Sequence, residues 1–502
     1  MSITTSDTRV APDISPDSGN RRWLALTVIA VAQLLIVLDA TITTIALPTA
    51  QKALHISDAN RQWVITTYAL AFGGLLLLGG RIADYTGRKR AFIIGLLGFA
   101  AASALGGAAV NEGMLFAARA LQGAFGALMA PAALSLLTVT FTDAKERARA
   151  FGVYGAIAGG GGAVGLLMGG LLTEYASWRW TLLVSAPIAI LAALAAYRFV
   201  GESRAEGNTR YDLPGAFTST LGLVALVFGF TKASSDGWGA AATVESLVAA
   251  GLLLIGFVII ELRSSHPLLP MRVILDRNRG GSYLSALLLG VGLFGVFLFL
   301  TFYLQITLGY SALQTGVAFL PFTLGIILGA GLSAQLLTRV GPRILMAGGL
   351  LLAAVGMVML TRIGVDTGFW SHVFPAELVI SFGIGVTFGP MSNTALVGVA
   401  DHDAGVASAL INTSQQIGGS LGTALLNTIF TSAVAGYLTA HQHDITSPSQ
   451  LPGLQAVATV HSYTVAFWVS AALIGVASLI AFLLVRASRA EVADSAASPA
   501  AM

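Results

Sequence analysis

The chain has 502 residues, of which 55% are hydrophobic and 10% charged, with a mean hydropathy of +0.80 and a formal net charge of +3. A water-soluble surface takes about 25% charged residues, so this composition excludes a soluble globular domain and implies a chain covered by lipid. The absence of cysteine excludes disulfides, thiolate metal centres and a cysteine nucleophile.

Residues 1–22 read as a polar cytoplasmic tail that ends on Arg21 and Arg22. The apolar run that follows is longer than the apolar region of a cleaved signal peptide, and so reads as a retained first span. At about 1.5 Å per residue, roughly 20 apolar residues cross about 30 Å of hydrocarbon. Runs of that length begin near Trp23, Trp63, Ala91, Met114, Ala148, Trp180, Leu213, Thr243, Ser282, Thr315, Ile344, Val373, Ala404 and Tyr463, which predicts fourteen transmembrane helices. Continuous rather than alternating apolarity argues against a membrane barrel.

The expected fold is all-α and integral to the membrane. An N-terminal six-helix bundle covers 23–201, two inserted helices 213–262, a cytoplasmic linker 263–281, a C-terminal six-helix bundle 282–485, and a cytoplasmic tail 486–502. Cytoplasmic loops retain Lys and Arg. With the N-terminus inside, inner segments hold 21 of the 27 basic residues, from Arg9 to Arg489; outer segments hold Lys52, Arg61, Arg179, Lys232 and Arg362, and Arg119 lies within a span. Both termini are therefore expected in the cytoplasm, at the plasma membrane.

A weak internal repeat accompanies this count. Glu146, Gly161, Gly162 and Gly165 stand 257 residues before Asp403, Gly418, Gly419 and Gly422, and Pro131 stands 259 before Pro390. Parallel repeats separated by two extra helices account for that offset, although glycine-rich helices also resemble one another by chance.

Taken in chain order, the first span buries Asp39, about 24 Å from Trp23, while Arg119 lies about 8 Å from Met114 at the opposite face. The two depths nearly coincide, so the groups are expected to face one another. A buried unpaired charge costs several kcal/mol, which leaves proton coupling, a structural salt bridge or an inert capping role for Asp39. Between the second and third spans runs Gly80-Arg81-Ile82-Ala83-Asp84-Tyr85-Thr86-Gly87-Arg88-Lys89-Arg90. Gly87 suits the tight turn. Asp84 is able to accept from helix N-terminal amides or pair with a nearby arginine, and the basic cluster suits an anionic leaflet. A plain positive-inside anchor is the simpler account of the same residues.

That loop resembles the signature of the major facilitator superfamily. Leu38-Asp39-Ala40-Thr41-Ile42-Thr43-Thr44-Ile45-Ala46-Leu47-Pro48 and Arg119-Ala120-Leu121-Gln122-Gly123 further resemble motifs of its fourteen-helix drug:proton antiporters, of the actinobacterial antibiotic-resistance type, with Thr44 in place of an asparagine. Gly155, Gly159, Gly165, Gly169 and Gly170 resemble the antiporter motif, with Leu166 where proline is usual; Trp178-Arg179-Trp180 and Pro187 add to the likeness. The resemblance implies proton-driven export of drugs or antibiotics, with Asp39 and Arg119 in proton coupling.

Polar residues within spans are candidates for a substrate cavity: Gln33, Tyr68, Gln122, Tyr303, Gln305, Asn393, Asn412, Gln415 and Gln416, with interhelical bonding as the alternative. Phe294, Phe297, Phe302, Phe319, Phe322 and Phe388 offer apolar walls or plain packing. Glu377 is a weaker protonatable candidate that is expected to reach the interface, Glu261 is expected to form a solvated pair with Arg263, and His441 and His443 are expected in an outer loop.

The expected partners are the bilayer, a small amphipathic substrate and protons. Lys52, Lys89, Lys145 and Lys232 all lack a preceding glycine, so no phosphate loop for ATP is present, and scattered basic residues argue against nucleic acid. No cofactor or metal is expected. Neither nucleophile elbow, paired catalytic carboxylates nor metal-spaced histidines point to an enzyme. A metabolite importer of the same fold is the alternative function; a channel would need a filter loop, which is missing.

Overall fold

A computed structural model describes residues 17–141, 143–204, 212–264, 267, 269, 271–399, 404–444, 448–489 and 491. Arg9, Arg210, Asp403 and the ends of both tails lie outside the described residues, as do the surroundings of Gly155 and Gly159. The long helices are α1 Asp17–Ala53, α2 Trp63–Thr86, α3 Arg88–Gly107, α4 Glu112–Thr140, α5 Ala144–Tyr175, α6 Trp180–Phe199, α7 Leu213–Asp236, α8 Ala241–Arg263, α9 Arg277–Thr307, α10 Ala312–Val340, α11 Pro342–Leu360, α12 Phe369–Leu396, α13 Ala404–His441 and α14 Leu451–Leu484. Thirteen of them are long and apolar enough to cross a membrane. The other is α5, 32 residues long, which lies against α1.

Polar residues mark where apolar runs begin and end. Asn111 accepts from the Met114 amide at the start of α4, Asp212 from Gly215 at α7, and Asp276 from Asn278 and Arg279 at α9. Each bond satisfies amide donors that have no partner within the helix. Ser311 and Gln314 form a reciprocal cap at the start of α10.

Packing partners repeat from one bundle to the other. In the N-terminal bundle α1 packs on α5, α2 and α3 on α4, and α3 on α6; in the C-terminal bundle α9 packs on α13, α10 and α11 on α12, and α11 on α14. The glycines of the sequence repeat lie at equivalent contacts: Gly165 meets the α1 backbone at Leu38, and Gly422 meets the α9 backbone at Val291. The inserted α7–α8 hairpin lies beside the seam between α2 and α13, and joins Gln62 to Thr231 and Thr428 to the Phe230 carbonyl. Only 11% of the apolar window of α8 is buried, against 72% for α9, so α8 turns most of its surface to lipid.

Several boundaries differ from expectation. The tail expected over 1–22 is helical from Asp17, and its basic residues are held: Arg22 pairs with Glu146 at 2.9 Å and Arg21 donates to the Arg198 carbonyl. The linker expected over 263–281 contains a short helix, Met271–Ile274, and gives way to α9 at Arg277. Beyond Arg486, Ser488 and Glu491 close a hydrogen-bonded turn whose backbone and side-chain bonds from Ser488 hold the Glu491 carboxyl below its usual range. At their other ends α13 and α14 run 38 and 34 residues, longer than a bilayer requires. His441 is thus the last residue of α13, stacked 4.0 Å from Tyr437, rather than part of a loop, and His443 lies in the single turn that follows.

Candidate functional site

Four helices of the N-terminal bundle deliver polar groups to one dry point. Asp39 of α1, Arg119 and Gln122 of α4 and Ser103 of α3 are all at most 1% exposed. Arg119 Nη1 donates to Asp39 Oδ2 at 2.6 Å and to Gln122 Oε1 at 2.9 Å, while its Nε donates to the Val64 carbonyl of α2 at 3.0 Å. Gln122 Nε2 donates to Asp39 Oδ1 at 3.0 Å and Ser103 Oγ at 2.8 Å. The guanidinium lies 4.4 Å from the centre of the Tyr68 ring, which stacks on Phe72. Each carboxylate oxygen of Asp39 therefore accepts one hydrogen bond, and the charge of Arg119 has a carboxylate, an amide oxygen, a carbonyl and a ring around it.

Local sequence makes this geometry possible. Arg119 and Gln122 are three apart on α4 and so share a face. Gly123 lies against the Tyr68 carbonyl, where any side-chain carbon would collide with the backbone of α2. On α5, Gly165 and Gly169 meet the α1 backbone at Leu38 and Ile42, on either side of Asp39, while Gly170 meets Leu313 of α10. Leu166, in the place of the proline expected there, is buried within a continuous α5. Thr44 is buried and donates to its own helix at Ala40.

The α2–α3 turn is a second polar cluster. Gly87 takes φ +112°, a conformation that favours glycine, and Asp84 pairs with Arg88 at 2.8 Å. The amide at the start of α3 is not capped by Asp84. Glu202, beyond α6, accepts from the Lys89 amide at 3.1 Å and lies 3.7 Å from Arg90. Gly80 faces Pro131 of α4.

The expected cavity residues separate into three groups. Gln122 belongs to the buried cluster, and Tyr303 is also fully buried, with its hydroxyl donating to the Gly364 carbonyl. Gln305 donates to the Ile45 carbonyl and so joins α9 to α1 across the two bundles; Gln33 accepts from Tyr154. Asn393, Gln415 and Gln416 are half-buried and Asn412 is exposed. Among the aromatic residues, Phe297 packs on Phe319 and Phe322, and Phe302 lies 4.1 Å beneath the guanidinium of Arg61. Two acids also differ from expectation. Glu261 is buried and accepts from the Leu269 amide, and Glu377 is buried completely rather than reaching the interface.

The hydrogen bonds that join the two bundles gather at the face bearing the α1–α2 turn. Arg61, 3% exposed, donates to Asn427, which donates to the Asp58 carbonyl; Thr66 and Thr423 share a hydrogen bond of 2.8 Å; Glu174 accepts from Ser311 and the Leu313 amide. Burial lowers the pKa of Arg61 below its usual value, and Asp58, 3.6 Å away, opposes that shift.

Ser103, the Val64 carbonyl, Glu202 and Arg61 are contributors that sequence reasoning missed. Only Arg61 carried a signal, as one of the few basic residues in an outer segment.

The sequence model described as Major Facilitator Superfamily matches residues 29–423. The puromycin resistance protein pur8 of Streptomyces alboniger is 52% identical over 481 residues, 95% of this chain and 94% of that protein. The cephamycin export protein CmcT of Amycolatopsis lactamdurans is 39% identical over 416 residues, 82% and 86% of the two chains. A bacterial homologue of the human lysosomal transporter Spinster, solved in an inward-facing and unoccupied conformation, superposes with a TM-score of 0.66 at 18% identity, over 93% of this chain and 99% of that one.

Proposed function

Because this chain belongs to the major facilitator superfamily, we propose that it exports drug-like antibiotics across the plasma membrane in exchange for protons, with both termini in the cytoplasm. The export reading is supported by resistance and export proteins among its relatives, at 52% and 39% identity. The observation that carries the proton step is the buried Asp39–Arg119–Gln122 cluster.

Protonating Asp39 removes the negative charge opposite Arg119. Leaving one member of a buried pair uncompensated costs about 3–5 kcal/mol, enough to favour a different arrangement of the helices that carry them. Proton binding is thereby linked to a change of shape, which the glycine contacts of α5 on α1 carry toward Gly170, where α5 meets Leu313 of the C-terminal bundle. With the α1–α2 face outside, the joined state described above is closed to the exterior. Gln33, Asn393, Asn412, Gln415 and Gln416 are the polar positions we assign to the substrate path from the cytoplasm, and Asp84, Gly87, Arg88 and Gly80 hold the inner α2–α3 turn through the cycle.

The test is expression in a pump-deficient host, screened against an antibiotic panel including puromycin, with and without an uncoupler. Uncoupler-sensitive resistance is expected; unchanged sensitivity to every compound favours import of metabolites instead. In everted vesicles Asp39→Asn is expected to abolish the response of transport to an imposed pH gradient. Transport by that variant that still follows the gradient removes Asp39 from the coupling.

A further inference from the structure

We propose that Glu377 is a second proton-binding site, and that its protonation is a condition for closure of the outer face; this rests on the proton-exchange reading and its orientation. Glu377 lies in α12, about 12 Å from the helix start at Phe369. It is fully buried, and neither carboxyl oxygen has a hydrogen-bond partner among the described residues. Its helical neighbours Val373, Ala376, Ile380 and Ser381 are buried as well, and Ser381 donates to the Leu378 carbonyl of its own helix.

The repeat explains why this acid stands alone. Glu377 follows Arg119 by 258 residues, between the offsets of 257 and 259 that relate the glycine and proline pairs. It therefore occupies, on α12, the place that Arg119 holds on α4. Asp39 has no such counterpart: Gly165 on Leu38 and Gly422 on Val291 relate α1 to α9 by 253 residues, which sets Asp39 against the buried Gly292 of α9. Among the described residues, Arg362 just past the outer end of α11 is exposed and His372 of α12 bonds to Ser371, and the ionisable groups on the packed helices are engaged or distant. Tyr303 of α9 is bonded to Gly364, Arg339 and Arg343 sit at the opposite ends of α10 and α11, and Tyr437 and His441 stack together at the tip of α13.

A carboxylate buried without donor or counter-charge costs far more than the neutral acid, so the closed outer face admits Glu377 only with its proton. Even the neutral group leaves a polar hydrogen and a carbonyl unbonded, and opening of the outer face must let water reach them from the outer end of α12, about 12 Å away. Proton uptake from outside and closure of the outer face are thereby one equilibrium, in which the closed state binds one proton more than the open state above the open-state titration range.

Spin labels on Lys52→Cys and Thr439→Cys, exposed residues of the two bundles, report outer opening in lipid, since the chain has no other cysteine. The closed fraction is expected to fall as pH rises, with the closed-to-open ratio changing up to about tenfold per pH unit from this group alone. Glu377→Gln is expected to stay closed and to lose that slope, and Glu377→Met to do the same. A slope unchanged in both variants overturns the proposal. Infrared difference spectroscopy on the otherwise native chain carrying Asp39→Asn tests it without altering Glu377: opening at high pH is expected to remove an un-ionised carboxyl band, and a constant band also overturns it. Failure of the Asp39 vesicle test alone would leave these readouts intact, so the two readings fall separately.

Discussion

At the scale of single residues, the Asp39–Arg119 pair combines low exposure with dense bonding, and its two members respond differently to removal. Arg119→Ala leaves Asp39 buried with one amide donor, and about 3–5 kcal/mol of stability is expected to go with it, read as a lower melting temperature of the purified protein. Ser103→Ala removes one acceptor from Gln122 and is expected to cost only about 1 kcal/mol. Because Gln122 also holds Asp39, that variant is expected to shift the pH dependence of transport while leaving the fold intact. A pH profile superimposable on that of the native chain would reduce Ser103 to packing. Asp39 and Arg119 were legible because charges inside apolar runs stand out. Ser103 was not, since an isolated serine in an alanine-rich helix is ordinary, and a backbone carbonyl such as that of Val64 has no signature at all. Tyr303 shows the same: the sequence marks a polar atom as needing a partner but not whether the partner is a ligand or the protein, and here the Gly364 carbonyl accepts from it.

At the scale of helices, the close approach of α4 to α2 is what lets Arg119 reach the Val64 carbonyl. Gly123→Ala inserts a carbon against the Tyr68 carbonyl, and a loss of about 1–3 kcal/mol with reduced transport is expected; native stability in that variant would mean that α4 has room to move. At the other end of α2, the Lys89 amide in the first turn of α3 donates to Glu202, while the Arg88 amide donates to the Ser203 carbonyl. Glu202→Ala is expected to lower stability by about 1 kcal/mol or more, measured by thermal unfolding, because it uncovers a helix terminus. Helix number and order could be read from apolar runs, since the thickness of hydrocarbon sets their length. Helix ends could not. Charged first turns such as those of α1 and α9 look like loops until Glu146, or the Val273 and Leu484 carbonyls, are seen to receive their arginines.

At the scale of the molecule, two bundles with the same packing order meet through a polar clasp at one face. The chain lacks cysteine, so Thr66→Cys with Thr423→Cys is expected to form a single disulfide across that clasp, arrest transport, and recover on reduction. Arg61→Ala, which strips the guanidinium from Phe302, Phe430 and Asn427, is expected to shift the resting population toward the state open at that face, seen as faster labelling of a cysteine at Thr423. The duplication was faintly visible in glycine and proline spacing, whereas the clasp was not, because its members are far apart in the chain. The α7–α8 hairpin breaks the likeness between the two flanks of the molecule. It covers the α2–α13 flank and is tied to both bundles, while among the described residues no such hairpin lies over the α5–α10 flank. That asymmetry predicts that bulky substitutions along α5 and α10 slow export of membrane-partitioned antibiotics more than of water-soluble ones, read as resistance to each class in the expressing host.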